Sequence, residues 1–196
     1  MIAIIDYNAG NITSVARALQ SIGQEFIITD DAKKLDAASR VIFPGVGAAG
    51  EAMAYLRQKK LDVWLRDYIK TGKPLLGICL GTQIILDYSE ENDTPCVSLV
   101  AGSTRRFPET LAFNGELLKI PHMGWNSVRL LRSHPVFDHV SPEAEFYFVH
   151  SYYPAPADEA AILGVTEYGI TFCSVLARNN LVAMQFHPEK SGRPGL

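Results

Sequence analysis

Three stretches of the chain, Met1 to Asp6, Arg40 to Phe43 and Pro74 to Cys79, are apolar almost without interruption and stop at glycine, proline or polar residues. A strand with one wet face alternates apolar and polar residues; a continuous apolar run of this length reads as a strand buried on both faces. Between these runs the spacing changes to that of helices. Val15, Leu19 and Ile22 share one face of a helix predicted over 14–22, and Phe26 to Ile28 reads as a further strand. From Ala48 to about Thr71, Met53, Leu56, Leu61, Trp64, Leu65, Tyr68 and Ile69 supply apolar stripes, closed off by Gly72 and Pro74; Thr82 to Tyr88 reads as the next helix. Strands alternating with helices predict an α/β fold, a three-layer α/β/α domain around a mixed, largely parallel sheet.

After Glu91 the pattern turns β-rich, with strands predicted at Val97 to Val100, Asn126 to Leu131, Phe146 to Val149, Thr171 to Leu176 and Leu181 to Phe186. No linker-like stretch separates the halves, so these strands are expected to complete the same sheet in a single domain, 1–196. The 196 residues, 47% of them hydrophobic, suffice for one core, and a net charge of -3 leaves no broad footprint for nucleic acid or an anionic membrane. The apolar start is too short for a secretory or membrane-spanning segment, and three scattered cysteines make no disulfide framework and no Cys-x-x-Cys pair. A cytoplasmic protein with reduced thiols is expected, without a metal site, dinucleotide loop or phosphate loop, and hence without a cofactor.

Gly77-Ile78-Cys79-Leu80-Gly81 carries the glycine spacing of a nucleophile elbow, with cysteine in the place of serine, after a strand and before a helix. Such a turn holds its nucleophile in a strained conformation beside a helix N-terminus, which favours thiolate over thiol. A cysteine in an apolar stretch ordinarily packs as a small hydrophobe, which is the reading for Cys96 and Cys173; the flanking glycines and the strand-to-helix switch set Cys79 apart. A base for that thiol is expected at His187, at the end of a strand-like run, where Pro188 biases its backbone toward an extended form. Residues two apart in an extended chain project to one side, so Glu189 can reach the imidazole, fix its tautomer and support its charge. Alone, His187 could be a turn histidine with a solvated Glu189; with the elbow it completes a Cys-His-Glu set. The amide of Leu80 is one candidate donor to an oxyanion, and Pro44-Gly45-Val46-Gly47, at another strand's end, is either a second such donor or a simple tight turn.

Together, Pro44 to Gly47, Gly77 to Gln83 and Phe186-His187-Pro188-Glu189-Lys190-Ser191 resemble the class I (triad) glutamine amidotransferases, in the family's order along the chain. Asp6 to Asn11, Pro121-His122-Met123-Gly124-Trp125-Asn126 and Tyr147 to Tyr152 resemble, within that class, the glutaminase subunits of imidazole glycerol phosphate synthase, and the likeness runs from Met1 to Ser191. The resemblance implies that Cys79 attacks the glutamine amide to form a glutamyl thioester, with His187 as base and then acid, backed by Glu189. It implies an oxyanion site at Val46, Gly47 and Leu80, a glutamine pocket framed by Gln83, Glu91, His150, Ser151 and Tyr152, and a docking face of Asn11, Met123, Trp125 and Lys190. Plainer readings stand beside these: Gln83 as a solvated helix residue, Glu91 as part of a charged surface stretch, Trp125 as core.

The implied partner is a (β/α)8-barrel cyclase in a heterodimer, which takes the ammonia to make imidazole glycerol phosphate and AICAR in histidine biosynthesis. Ammonia released into water becomes ammonium and loses its nucleophilic lone pair, so a sealed path is expected. Gly45 and Gly47 permit peptide rotation, so the Val46 amide is expected to point away from the oxyanion until the partner binds, leaving glutaminase activity latent. Family members usually continue into a short closing helix past the His-Pro-Glu block, whereas this sequence stops at Leu196. The alternatives are a glutaminase serving another ammonia-channelling synthase, such as that of pyridoxal phosphate, against which the Trp125 block argues; a non-catalytic interaction subunit of the same fold; and a cysteine hydrolase on an α/β-hydrolase scaffold.

Overall fold

The computed structural model describes residues 1–8, 10–113 and 115–196. The first half runs β1 (Ile2–Ile5), α1 (Ile12–Ser21), β2 (Phe26–Thr29), α2 (Ala32–Ala37), β3 (Arg40–Phe43), α3 (Ala49–Gln58), α4 (Leu61–Tyr68), β4 (Leu75–Ile78) and α5 (Leu80–Ile84). The second half is β5 (Tyr88–Ser89), β6 (Thr94–Pro95), β7 (Gly102–Arg106), β8 (Ala112–Phe113), β9 (Glu116–Leu117), β10 (His122–Ser127), β11 (Arg129–Leu130), β12 (Glu145–His150), β13 (Tyr152–Pro156), β14 (Ile162–Glu167), β15 (Thr171–Arg178), β16 (Leu181–Met184) and α6 (Gly192–Gly195).

Eight strands form the main sheet in the order β11-β14-β15-β16-β4-β3-β1-β2. From β2 to β16 every pairing is parallel; β15, β14 and β11 continue it antiparallel, so the sheet is mixed as expected. The apolar runs are buried on both faces. Ala3, Ile5, Val41, Phe43 and Leu75 pack with Met53, Leu56 and Leu65 of α3 and α4, while Ile2, Ile4, Ile42 and Ile78 pack with Val15 and Leu19 of α1. A third, aromatic cluster of Phe107, Phe146, Phe148, Phe172 and Phe186 fills the antiparallel end. At about 25 cal/mol per Å² of apolar area removed from water, these clusters are the main source of stability.

Several boundaries differ from the sequence reading. The long helical stretch is two helices, because Lys60 adopts a left-handed φ of 57° between them. The helix after Cys79 starts at Leu80 and ends at Ile84, and Val97 to Val100 form no strand. Instead the amides of Val97, Ser98 and Leu99 donate to the carbonyls of Ile84, Leu86 and Ile85, satisfying the free end of α5 at 2.7 to 2.9 Å. Nor do all the later strands join the main sheet: β13-β7-β5-β6 make a separate four-stranded sheet and β10-β12 a two-stranded one. Strands β7, β13 and β14, and the short α2, gave no clear period in the sequence; β13 contains Pro154 and Pro156, which mask a strand signal.

Candidate active site

The elbow is built by the close approach of β3, β4 and β16. Cys79 sits between β4 and α5 with φ 51° and ψ -106°, a conformation that costs a non-glycine residue about 1–3 kcal/mol. Its strain is held in place by the end of β16: the Met184 carbonyl accepts from the Cys79 amide at 2.8 Å and from Thr82 Oγ1 at 2.7 Å. Gly81 has to be glycine, since a Cβ there would lie 1.9 Å from the Phe43 carbonyl oxygen. Cys96 and Cys173 are buried away from this turn, and burial pushes both thiols up to about 12, consistent with inert core residues.

His187 follows β16 with an extended backbone (φ -101°, ψ 93°), as the proline after it dictates. Glu189 reaches the ring by a different route from the expected one: Pro188–Lys190 form a single 3-10 turn that folds the carboxylate back, and His187 Nδ1 donates to Glu189 Oε1 at 2.7 Å. The ring is fully buried, and its other nitrogen, Nε2, has no aligned hydrogen-bond partner among the described residues. Burial alone would lower the imidazolium, but the Cys79 sulfur and then the Glu189 carboxylate outweigh it and raise His187 to about 9. Glu189 is held below the usual carboxylate range: burial opposes this, and the hydrogen bonds from His187 and Asn11 prevail. The backbone of this segment is braced from three sides. The His187 amide donates to the Tyr147 carbonyl, Ser191 Oγ donates to the His187 carbonyl at 2.6 Å, and the Tyr147 amide donates to Ser191 Oγ at 2.9 Å.

The loop Pro44 to Gly47 lies against the elbow. Its Gly45 carbonyl accepts from the Leu80 amide at 3.2 Å, so one expected oxyanion donor is engaged, and Gly47 has φ 111°. Tyr7 Oη donates to the Pro44 carbonyl at 2.6 Å; burial, and then the neighbouring Cys79, keep this phenol protonated well above its usual range.

The residues expected in the glutamine pocket have definite occupations. Gln83 is buried rather than solvated, its Nε2 donating to the Tyr152 carbonyl and to Gln185 Oε1, both at 3.0 Å. His150 Nδ1 donates to the same carbonyl at 2.7 Å, and His150 Nε2 faces His122 Nδ1 at 3.0 Å. Burial lowers His150 to about 3 and His122 to about 4, so both rings are neutral at pH 7. Ser151 and Tyr152 are partly exposed beside them. Glu91 Oε2 accepts from the Ala49 amide at 2.8 Å, anchoring the start of α3 just beyond Gly47.

Of the expected docking residues, Met123 (61%) and Trp125 (54%) are exposed on β10, and Lys190 is exposed at the end of the 3-10 turn after His187, so Trp125 is not core. Asn11 is different: at the start of α1, with φ 76°, it donates Nδ2 to Glu189 Oε1 at 2.5 Å. Its 3.3 Å approach to His187 Nδ1 is a contact, since that nitrogen's proton is committed to Glu189. A cavity of about 1080 Å³ lies elsewhere and is lined by Ile2, Leu19, Ile42, Leu76, Met184 and Leu196; none of the sulfur, ring or carboxylate groups above is on its wall. Gln185, completely buried and donating to Cys79 Sγ at 3.7 Å, was not singled out from the sequence. A signal existed: it lies two residues before His187 in an extended segment, and so on the same side.

A cysteine at a strained strand-to-helix turn, beside an imidazole backed by a carboxylate at the carboxyl edge of a parallel sheet, defines an elbow-type α/β protein equipped for nucleophilic chemistry. The model of the family described as "Glutamine amidotransferase class-I" matches residues 3–195. Imidazole glycerol phosphate synthase subunit HisH of Maridesulfovibrio salexigens is 54% identical over 100% of this chain and 92% of its own length; the subunit of the same name from Nitratidesulfovibrio vulgaris is 52% identical with the same coverage. A crystal structure described as glutamine amidotransferase superposes with a TM-score of 0.75 at 16% identity, covering 100% of this chain and 94% of the other, a likeness of fold alone. The chain belongs to the class I glutamine amidotransferase family, and within it to the group of the HisH subunits of imidazole glycerol phosphate synthase. No group of three or more His, Cys, Asp or Glu side chains able to hold a metal, and no helix long and apolar enough to cross a membrane, occurs among the described residues.

Proposed function

We propose that this chain hydrolyses glutamine to glutamate and ammonia through a glutamyl thioester on Cys79, and delivers the ammonia to a (β/α)8-barrel cyclase in a cytoplasmic heterodimer that makes imidazole glycerol phosphate and AICAR. The observation that carries it is the buried His187 ring, tied through Nδ1 to Glu189, which leaves Nε2 to Cys79, the group that does most to raise the ring. That polarity suits a ring that takes a proton from sulfur. With Glu189 fixing the tautomer and stabilising the imidazolium, the Cys79 thiolate adds to the side-chain amide carbon of glutamine. His187 Nε2 then gives its proton to the departing ammonia as the tetrahedral intermediate collapses. In the second half-reaction the neutral ring takes a proton from water, which attacks the thioester and releases glutamate.

The developing oxyanion requires donors, for which Leu80 and the Val46 or Gly47 amides are suited. Because the Leu80 amide is engaged by the Gly45 carbonyl, substrate or partner binding has to displace that carbonyl, which supports a glutaminase that is latent in isolation. Gln83, Glu91, His150, Ser151 and Tyr152 frame the pocket in this reading, and the docking face is formed by an exposed apolar pair, Met123 and Trp125, together with the exposed cation Lys190. The relatives' name, imidazole glycerol phosphate synthase subunit, supports the choice of partner.

The test pairs the chain with its cyclase and measures product formation from glutamine and from ammonium salts. Cys79→Ala is expected to abolish the glutamine-dependent reaction and leave the ammonium-dependent one intact. Glutamine-dependent product from that variant would overturn the proposal.

A further inference from the structure

We infer that Gln185 is a further catalytic residue: its amide holds the reacting sulfur of Cys79 in the thiolate form by donating a hydrogen bond to it. The inference deepens the reading of Cys79 as nucleophile and rests on it. Gln185 is completely buried, and its Nε2 lies 3.7 Å from Cys79 Sγ, within hydrogen-bond range for sulfur.

The direction of this bond follows from its neighbours. The Tyr152 carbonyl is an acceptor only, so the group facing it from Gln83 at 3.0 Å is the NH2 of that side chain. The second hydrogen of the same NH2 goes to Gln185 at 3.0 Å, which must therefore present its oxygen there and turn its own NH2 toward the sulfur. His150 reinforces the anchor by donating Nδ1 to the same carbonyl at 2.7 Å. An amide whose oxygen is already satisfied cannot turn round without breaking the Gln83 bond and setting two acceptors, oxygen and thiolate, against each other. The backbone is equally fixed: the Gln185 amide donates to the Ser174 carbonyl at 2.9 Å, and the residue before it, Met184, grips both Cys79 and Thr82.

A donor bonds a thiolate more strongly than the weakly accepting neutral thiol, and so favours the charged form. The imidazolium of His187 acts on the sulfur from its ring side; Gln185 adds a neutral donor that is present in every protonation state of that ring. A merely space-filling glutamine would leave the sulfur's acid–base behaviour unchanged, and this difference is measurable.

The experiment is alkylation of the full chain by iodoacetamide, in which thiolate displaces iodide, followed at Cys79 by peptide mass spectrometry from pH 5 to 10. Gln185→Met removes the donor at similar volume; Gln185→Glu keeps an acceptor for Gln83 but places a carboxyl against the sulfur. The half-maximal pH of alkylation is expected to rise by roughly 0.5–1 pH unit in Gln185→Met, a three- to tenfold smaller thiolate fraction, and further in Gln185→Glu. A profile unchanged from that of the unaltered chain in either folded variant overturns the inference. If Cys79 is not alkylated preferentially in the unaltered chain, the reading of Cys79 as nucleophile fails instead, and with it this one.

Discussion

Replacing Asn11 by alanine separates two roles for one side chain. The sequence resemblance assigns Asn11 to the docking face, whereas in the fold its Nδ2 donates to Glu189 Oε1 at 2.5 Å. Glu189 Oε2 has no partner among the described residues, and the side chains that hold the other oxygen are Asn11 and the ring it serves. A hydrogen bond to a charged acceptor is worth about 1.5–3 kcal/mol, and each 1.4 kcal/mol is a factor of about ten in rate. If the bond acts fully when the imidazolium forms, Asn11→Ala should lower kcat for glutamate release about 10- to 100-fold. The assay is glutamate release by the chain saturated with cyclase, glutamine and nucleotide, alongside calorimetric titration of complex formation. A drop in kcat with affinity for the cyclase little changed is the expected outcome. Unchanged kcat with weakened association would refute the positioning argument and return Asn11 to docking alone.

Other outcomes follow from the same geometry. Trp125→Ala, at an exposed position, should change the stability of the isolated chain by less than about 0.5 kcal/mol yet weaken cyclase binding by about 2 kcal/mol or more, read by denaturation and calorimetry; equal affinities would remove Trp125 from the interface. The His187 ring should titrate near 9 by NMR, and in Cys79→Ala its midpoint should fall, because the sulfur is the leading group that raises it. A raised folded value means that His187 contributes stability fully below about 6.5, lost as pH climbs through about 9. His122 and His150 have the opposite sign: with folded values of about 4 and about 3, they cost stability progressively as pH falls below about 6.5. Urea midpoints between pH 7 and 4.5 should therefore decline, and less steeply in His122→Phe, where a phenyl ring can replace the imidazole stacked between Phe148 and Tyr168.

The parallel half of the fold was legible because its strands are buried on both faces, which leaves nothing but apolar residues at Ile2 to Ile5 and Leu75 to Ile78. The antiparallel half was less so. β13 carries prolines that its register against β7 tolerates, and Val97, Leu99 and Val100 are apolar not because they form a strand but because they cap and cover α5. At the candidate site, Cys79, His187 and Glu189 announced themselves through rigid local chemistry: flanking glycines, and a proline between the imidazole and the carboxylate. Asn11 gave no local sign of its bond to Glu189, 178 residues away in sequence, and Gln185 offered only its place two residues before His187, since Cys79 lies 106 residues away. Glu91, too, looked like one acid in a charged run until its bond to the Ala49 amide gave it a structural task.

The central claim, that Cys79 carries the glutamyl group, is tested most directly by acid-quenching the complex during turnover of radiolabelled glutamine and mapping the label by peptide. The label should sit on the peptide containing Cys79, disappear on treatment with hydroxylamine, and be absent from Cys79→Ala. Steady turnover with no label on that peptide, or label held by Cys96 or Cys173, would contradict it.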